Sequence, residues 1–254
     1  MSVGRNTPYR ARIYEESPWY ASIAEPLAEL ERVGRFPSAE ELSALHAARV
    51  QARGLPALRF VEAPRNKPRR PKGQPIALHE LYEGQVVERS EVPTRRDDWH
   101  DLFNALAFIT FPRAKQALHA RQYRIMAARL PPRATKLPNA RTREQDALAL
   151  FDEGGLIVAS PAPVGLSDEA LADALRNGRA RVVPFGHALH EHLVARAPCP
   201  LATAHAIQLD AETLHGEGWL DAVDSALARA LGAPTAFLAP SPERGNSLPA
   251  LLAR

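Results

Sequence analysis

Three short segments place acid, base and metal-ligand side chains where a plain core would carry apolar ones. The first runs Trp99-His100-Asp101-Leu102-Phe103-Asn104 and continues through Phe111-Pro112-Arg113-Ala114-Lys115 to His119. His100 and Asn104 are four residues apart, as are Lys115 and His119, so each pair shares a helix face. If Pro112 folds the two helices together, all four face one cleft. There His100 serves as acid or base, Asn104 orients a ligand, and Arg113 and Lys115 hold an anionic group. The bland alternative gives His100 and Asp101 to the first helical turn and makes Asn104 a satisfied core amide.

The second segment is Phe151-Asp152-Glu153-Gly154-Gly155. Adjacent carboxylates suit a divalent cation, and Asp146 is a further acid just upstream. Yet Asp-Glu-Gly-Gly between two apolar runs is also what a tight turn demands, with glycine supplying positive φ. The third segment is Phe185-Gly186-His187-Ala188-Leu189-His190-Glu191. His187 and Glu191 share a helix face at a spacing metals accept, and Gly186 permits close backbone approach at the helix start. His-x-x-His-Glu is nevertheless neither of the zinc-protease patterns, and His187 paired with Glu191 has a purely structural reading too.

Together these segments define an expected site. His100, Asp101, His187 and Glu191 are its catalytic candidates. Asp152, His187 and Glu191 are candidate ligands of a divalent metal, the one cofactor the residues suggest. Asn104, Arg113 and Lys115 are candidate substrate-binding groups. Buried imidazoles and carboxylates cost stability unless satisfied. Mutual satisfaction therefore predicts that His100, Asp101, His187 and Glu191 meet in one polar pocket, with Asp152 or Asp146 nearby.

The elements that must position these groups follow from patterning. Pro18 to Val33 reads as an amphipathic helix with a kink at Pro26 and a stop at Gly34. Ser38-Ala39-Glu40-Glu41 is a capping box opening a second helix. Leu55 to Val61 reads as a strand, and His79 to Val92 as a hairpin turning at Gly84. Asp98 caps a helix from Trp99 that is apolar nearly all round, which makes it central. Pro112 ends it, and an amphipathic helix follows to Arg129. Ala147–Phe151 and Leu156–Ala159 read as a hairpin around Asp-Glu-Gly-Gly. Ser167 caps a helix ending near Gly178, Arg181 to Phe185 is a strand, and His187 to Arg196 a helix. Ile207 lies in a strand, and Trp219 to Leu231 forms an amphipathic helix.

The 254 residues are 45% hydrophobic and 24% charged, ordinary for a globular chain able to bury a full core. The expected fold is α+β, a helix-rich single domain over 1–254 with a small sheet and a central buried helix. Residues 1–16 and 240–254 are expected to be loosely held ends. Residues 63–75 and 130–143 are proline-bearing basic loops. Those loops hold nine cations and no acid, more than the whole +3 net charge of the chain. They leave nucleic acid open as a partner but lack the interleaved aromatics that stack bases. No apolar run approaches the roughly 20 residues of a membrane span, and no signal-peptide pattern opens the chain, so the expectation is a soluble, cytoplasmic protein. The single cysteine, Cys199, excludes an intrachain disulfide and a cysteine-rich zinc site. Phosphate-loop, dinucleotide-binding and nucleophile-elbow motifs are absent.

Val92-Pro93-Thr94-Arg95, the Trp99 to Ala105 run, Phe111 to Lys115, Phe151 to Gly155 and Phe185 to Glu191 together resemble a bacterial family, the domain of unknown function numbered 3025. The resemblance covers about residues 55 to 240. It implies one domain over most of the chain and carries over no catalytic residue or cofactor. From the residues themselves, two functions are open. One is a hydrolase-like, metal-assisted site. The other is a non-enzymatic binding or scaffold protein that holds a small anionic ligand or partner through its basic loops.

Overall fold

A computed structural model of the chain describes residues 7–31, 34–64, 71, 73–197 and 202–238. Its element order is α1 (Ala24–Glu31), α2 (Ala39–Gln51), β1 (Arg59–Glu62), α3 (Tyr82–Arg89), β2 (Glu91–Thr94), α4 (Trp99–Thr110), α5 (Pro112–Arg129), α6 (Arg143–Gly154), β3 (Gly155–Ser160), α7 (Asp168–Arg176), β4 (Arg181–Pro184), α8 (His187–Val194), β5 (Thr203–Gln208), α9 (Ala211–His215) and α10 (Trp219–Gly232). The fold is mixed α+β and rich in helix, with two small sheets. In one, β1 and β2 pair in parallel; in the other, β3 lies between an antiparallel β4 and a parallel β5. None of the described helices is long and apolar enough to cross a membrane.

The helix starts obey their caps. Ser38 and Glu41 close the capping box of α2 reciprocally, and the Asp98 carboxylate accepts from the Asp101 amide at α4. Pro112 is the first residue of α5, where its missing N–H removes nothing a helix would use. Ser167 caps α7. Helix α4 is central as its composition requires, with Trp99, Phe103, Leu106 and Phe108 buried. Phe103→Ala and Leu106→Ala should each lower stability by about 2–5 kcal/mol; denaturant melts that show losses below about 0.5 kcal/mol for both would place α4 at the surface.

Four expectations are corrected. Pro18–Val33 is not one helix: a short 3₁₀ turn over Pro18–Tyr20 precedes α1. Pro26 sits in the first turn of α1, where an N–H has no intrahelical partner, so it makes no kink. His79–Val92 is no hairpin. It is α3 followed by β2, and Gly84 is a packing residue, since a Cβ there would collide with the backbone of Leu78 and His79. Ala147–Ala159 is likewise no hairpin. Thr142 and Gln145 form a capping box that opens α6, and the helix runs into β3 with no loop between them. Lastly, residues 7–16 are held down: Ile13 is buried, Tyr9 stacks on Trp99, and the Trp99 indole donates to the carbonyls of Thr7 and Pro8. A buried indole N–H needs a partner, and this segment supplies it. Of the basic loops, 130–142 is irregular and mostly exposed. Residues 65–70 and 72, Cys199, and the tail from 239 lie outside the described residues.

Candidate metal centre

The correction at α6 changes the site. Because Asp152 and Glu153 ride the last helical turn, they face different neighbours. Because β3 and β4 are antiparallel, the start of β3 lies beside the end of β4, with Leu156 opposite Pro184. Glu153, just before β3, and His187, just after β4, are thereby set side by side. Gly186 closes the gap: a Cβ there would stand 2.5 Å from the Glu153 carbonyl carbon and oxygen. Helix α4 packs across α8 and brings His100 to the same place.

The His187 Nε2 atom lies 3.1 Å from His100 Nε2 and 3.3 Å from Glu153 Oε2. One ligand atom from each of the three residues falls within 4.8 Å of the others. On its far side His100 Nδ1 donates to Glu191 Oε2 at 2.9 Å. That bond keeps a proton on Nδ1 in either charge state of His100, so it is Nε2, facing His187, that gains or loses the second proton. A proton or a cation must lie between two ring nitrogens at this separation. His187 is 3% exposed and Glu191 2%, whereas the Glu153 side chain is about half exposed, so one side of the triad opens outward.

Burial opposes charge on His100, but the Glu191 hydrogen bond and the nearby Glu153 and Asp101 carboxylates outweigh it and raise its pKa. Burial pushes His187 the other way, well below its ordinary value, with Lys115 and His100 adding to the shift. The two imidazoles are thus held in unlike protonation states, one favoring the cation and one the neutral ring.

A second network supports the first. Lys115 is fully buried, and its ammonium donates to Asp152 Oδ1 at 2.5 Å and Asn104 Oδ1 at 2.9 Å. It also sits 4.7 Å from the center of the Phe108 ring, a cation–π contact. Asn104 Nδ2 donates to the Tyr82 hydroxyl at 3.0 Å. Burial alone would raise the Asp152 pKa, but the Lys115 charge overrides it and holds the carboxyl below the usual carboxylate range.

His100, Asp101, His187 and Glu191 therefore come together, though Asp101 turns away from the imidazoles. Both its oxygens bind the Arg95 guanidinium, at 2.7 and 2.9 Å, and one accepts from the Arg95 amide. Asp152 is close by but engaged by Lys115. Asp146 lies in the exposed first turn of α6. Of the expected metal set of Asp152, His187 and Glu191, His187 falls in the group whose geometry could hold a metal ion, with His100 and Glu153; Asp152 faces Lys115, and Glu191 meets Nδ1 of His100 on the side away from His187. Glu153 is half of the adjacent carboxylate pair the sequence offers to a cation, but a turn gives no ground for choosing it over Asp152; the Thr142–Gln145 capping box is the signal for the helix that separates the two. Arg113 is not in the cleft. Its guanidinium binds Asp221 at 2.6 Å, and its amide, with that of Ala114, donates to Asp224 of α10.

The triad opens into a cleft of about 470 Å³, whose far end is lined by Tyr82, His119, Gln122 and Arg141. A family model described as "Protein of unknown function (DUF3025)" matches residues 72–245, and the chain belongs to that family. No curated protein and no solved structure matches it at a significant level.

Proposed function

We propose that the cleft is a metal-assisted hydrolytic site in which His100, Glu153 and His187 hold one divalent cation. The observation that carries this reading is the meeting of two imidazole Nε2 atoms and a carboxylate oxygen at separations of 3.1 and 3.3 Å. Ligands about 2.0–2.1 Å from one ion at a tetrahedral angle lie roughly 3.3 Å apart. Glu191 takes the part of the carboxylate that orients a ligating histidine through its other nitrogen. Nitrogen and oxygen donors in this proportion suit zinc and its neighbors. Three protein ligands leave a fourth position for water or substrate, and a bound ion lowers the pKa of that water toward neutrality. Asp101 and Asp152 then act as supports, through Arg95 and Lys115 respectively. The non-enzymatic reading, in which the basic loops and the Arg113/Lys115 region hold an anionic partner, loses part of its support, because internal carboxylates already engage Arg113 and Lys115.

Elemental analysis and calorimetry on the purified chain should find one divalent ion per molecule. His187→Ala should abolish its binding, and Glu191→Gln should weaken it about 10–100-fold. Wild-type protein that takes up no divalent ion after reconstitution, or a His187→Ala protein that binds like wild type, would overturn the proposal.

A further inference from the structure

The far end of the cleft holds a group the metal reading does not use. His119 is 1% exposed, and neither ring nitrogen has a hydrogen-bond partner. Its ring lies flat on Phe108, with centroids 5.3 Å apart, and edge-on to Tyr82 at 5.4 Å. Those contacts would be made equally well by a phenyl ring. A neutral imidazole buried there instead carries one donor and one acceptor with nothing to bond, an arrangement that costs stability.

Its surroundings on the cleft wall are rich in donors. Lys115, His119 and Gln122 follow one another at i, i+4 and i+7, so α5 turns a single polar stripe toward the cleft. The Tyr82 hydroxyl accepts from Asn104, which leaves its own proton free to donate outward. Arg141, from the basic loop, lines the same end and makes no hydrogen bond or ion pair among the described residues. Of the acids that line the cleft, Asp101 is answered by Arg95, Asp152 by Lys115 and Glu153 by His187, while Glu83 shares the lining with Arg95 and Arg141.

We propose that His119, with Tyr82, Gln122 and Arg141, forms a recognition subsite for an oxyanion, a carboxylate or phosphate carried by the substrate at a distance from the bond being cleaved. This rests on the reading of the cleft as a substrate site but not on the metal. A neutral imidazole N–H, a phenol, an amide and a guanidinium can together donate to several oxygens of one anionic group. Arg141 is exposed and His119 is buried, so the guanidinium meets an entering anion before the imidazole does.

The test uses the full-length chain in the presence of a chelator, so that binding of the probe at a metal cannot be mistaken for binding at the subsite. Inorganic phosphate and acetate are titrated separately while the His119 ring signals are followed by NMR. One of them should shift those signals saturably, and which one does so identifies the oxyanion. Arg141→Gln should weaken that binding about tenfold, the loss of one charge-assisted hydrogen bond. In His119→Phe, which lacks those signals, calorimetry should find the binding lost, with the melting temperature unchanged or raised. Failure of both anions to move the His119 signals, or a lowered melting temperature in His119→Phe, would overturn the proposal. The latter would mean that the ring has a structural partner such as a buried water. Because metal is excluded throughout, a negative result here leaves the metal proposal untouched, and loss of the metal proposal leaves this one standing.

Discussion

The protein should unfold in mild acid, through its histidines rather than its carboxylates. Burial lowers His46, His119 and His190 from 6.5 to about 4. Between these values the unfolded chain binds three protons that the native chain refuses. Stability is therefore fully present above pH 6.5 and falls as the pH drops toward 4. Asp224 works against this trend. Burial raises it to about 6, so the native chain takes up a proton that the unfolded carboxyl declines until 3.8. His187 and His205 are lowered as well, while Glu153 is raised and opposes the trend as Asp224 does. His100 is raised too, so both states hold its proton over this range. Five protons less two leaves at most three, on the order of 3 kcal/mol per pH unit. By pH 4.5 the loss is on the order of 5 kcal/mol, equal to the whole stability of a modest domain. A circular-dichroism titration should show cooperative unfolding above pH 4. A midpoint below about 3.5, in the carboxylate range, would mean that these rings are protonated without cost.

The second large effect is expected at Lys115. Lys115→Met removes a buried cation and leaves the Asp152 carboxylate facing Asn104 and a phenyl ring, which should cost about 3–5 kcal/mol. Lys115→Met with Asp152→Leu removes both charges together and should recover most of that loss. The Lys115→Met protein should also bind metal more weakly, because Asp152 adjoins Glu153 on the last turn of α6. Urea melts of the two single variants and the double variant close the cycle. If the double variant is as unstable as the sum of the singles, Lys115 and Asp152 do not depend on each other.

Much of this fold is legible wherever local chemistry and tertiary need agree. Asp98 and Ser38 are read correctly as caps because a side-chain oxygen before an apolar stripe has one economical use. The centrality of α4 follows from its apolar circumference alone. Two of the errors fall on glycines. Gly84 and Gly155 look like turn residues, but each is small because backbone passes close to it, from the 3₁₀ turn just before α3 in one case and from an abrupt join of helix to strand in the other. Reading the Asp152–Gly155 stretch as a turn left the choice between Asp152 and Glu153 as ligand without a basis. The meeting of His100, His187 and Glu191 was accessible to a cost argument, since buried polar groups need partners. Which carboxylate completes the triad was not, because that depends on the direction a side chain takes from a helix the turn reading did not contain. The uses of Arg113 and Lys115 were hidden similarly: their partners, Asp221, Asp224 and Asp152, are not their neighbors in sequence.

Gly186 has a consequence for the triad. Main chain meets main chain where it touches Glu153, so the backbones that carry two of the three donors are held one peptide's thickness apart. His187 is buried and fixed, whereas the Glu153 carboxylate sits about half exposed on a long side chain. The glycine thus sets where the acid starts from, and the side chain sets how far it reaches, so any side chain at position 186 would part the two donors before it touched either.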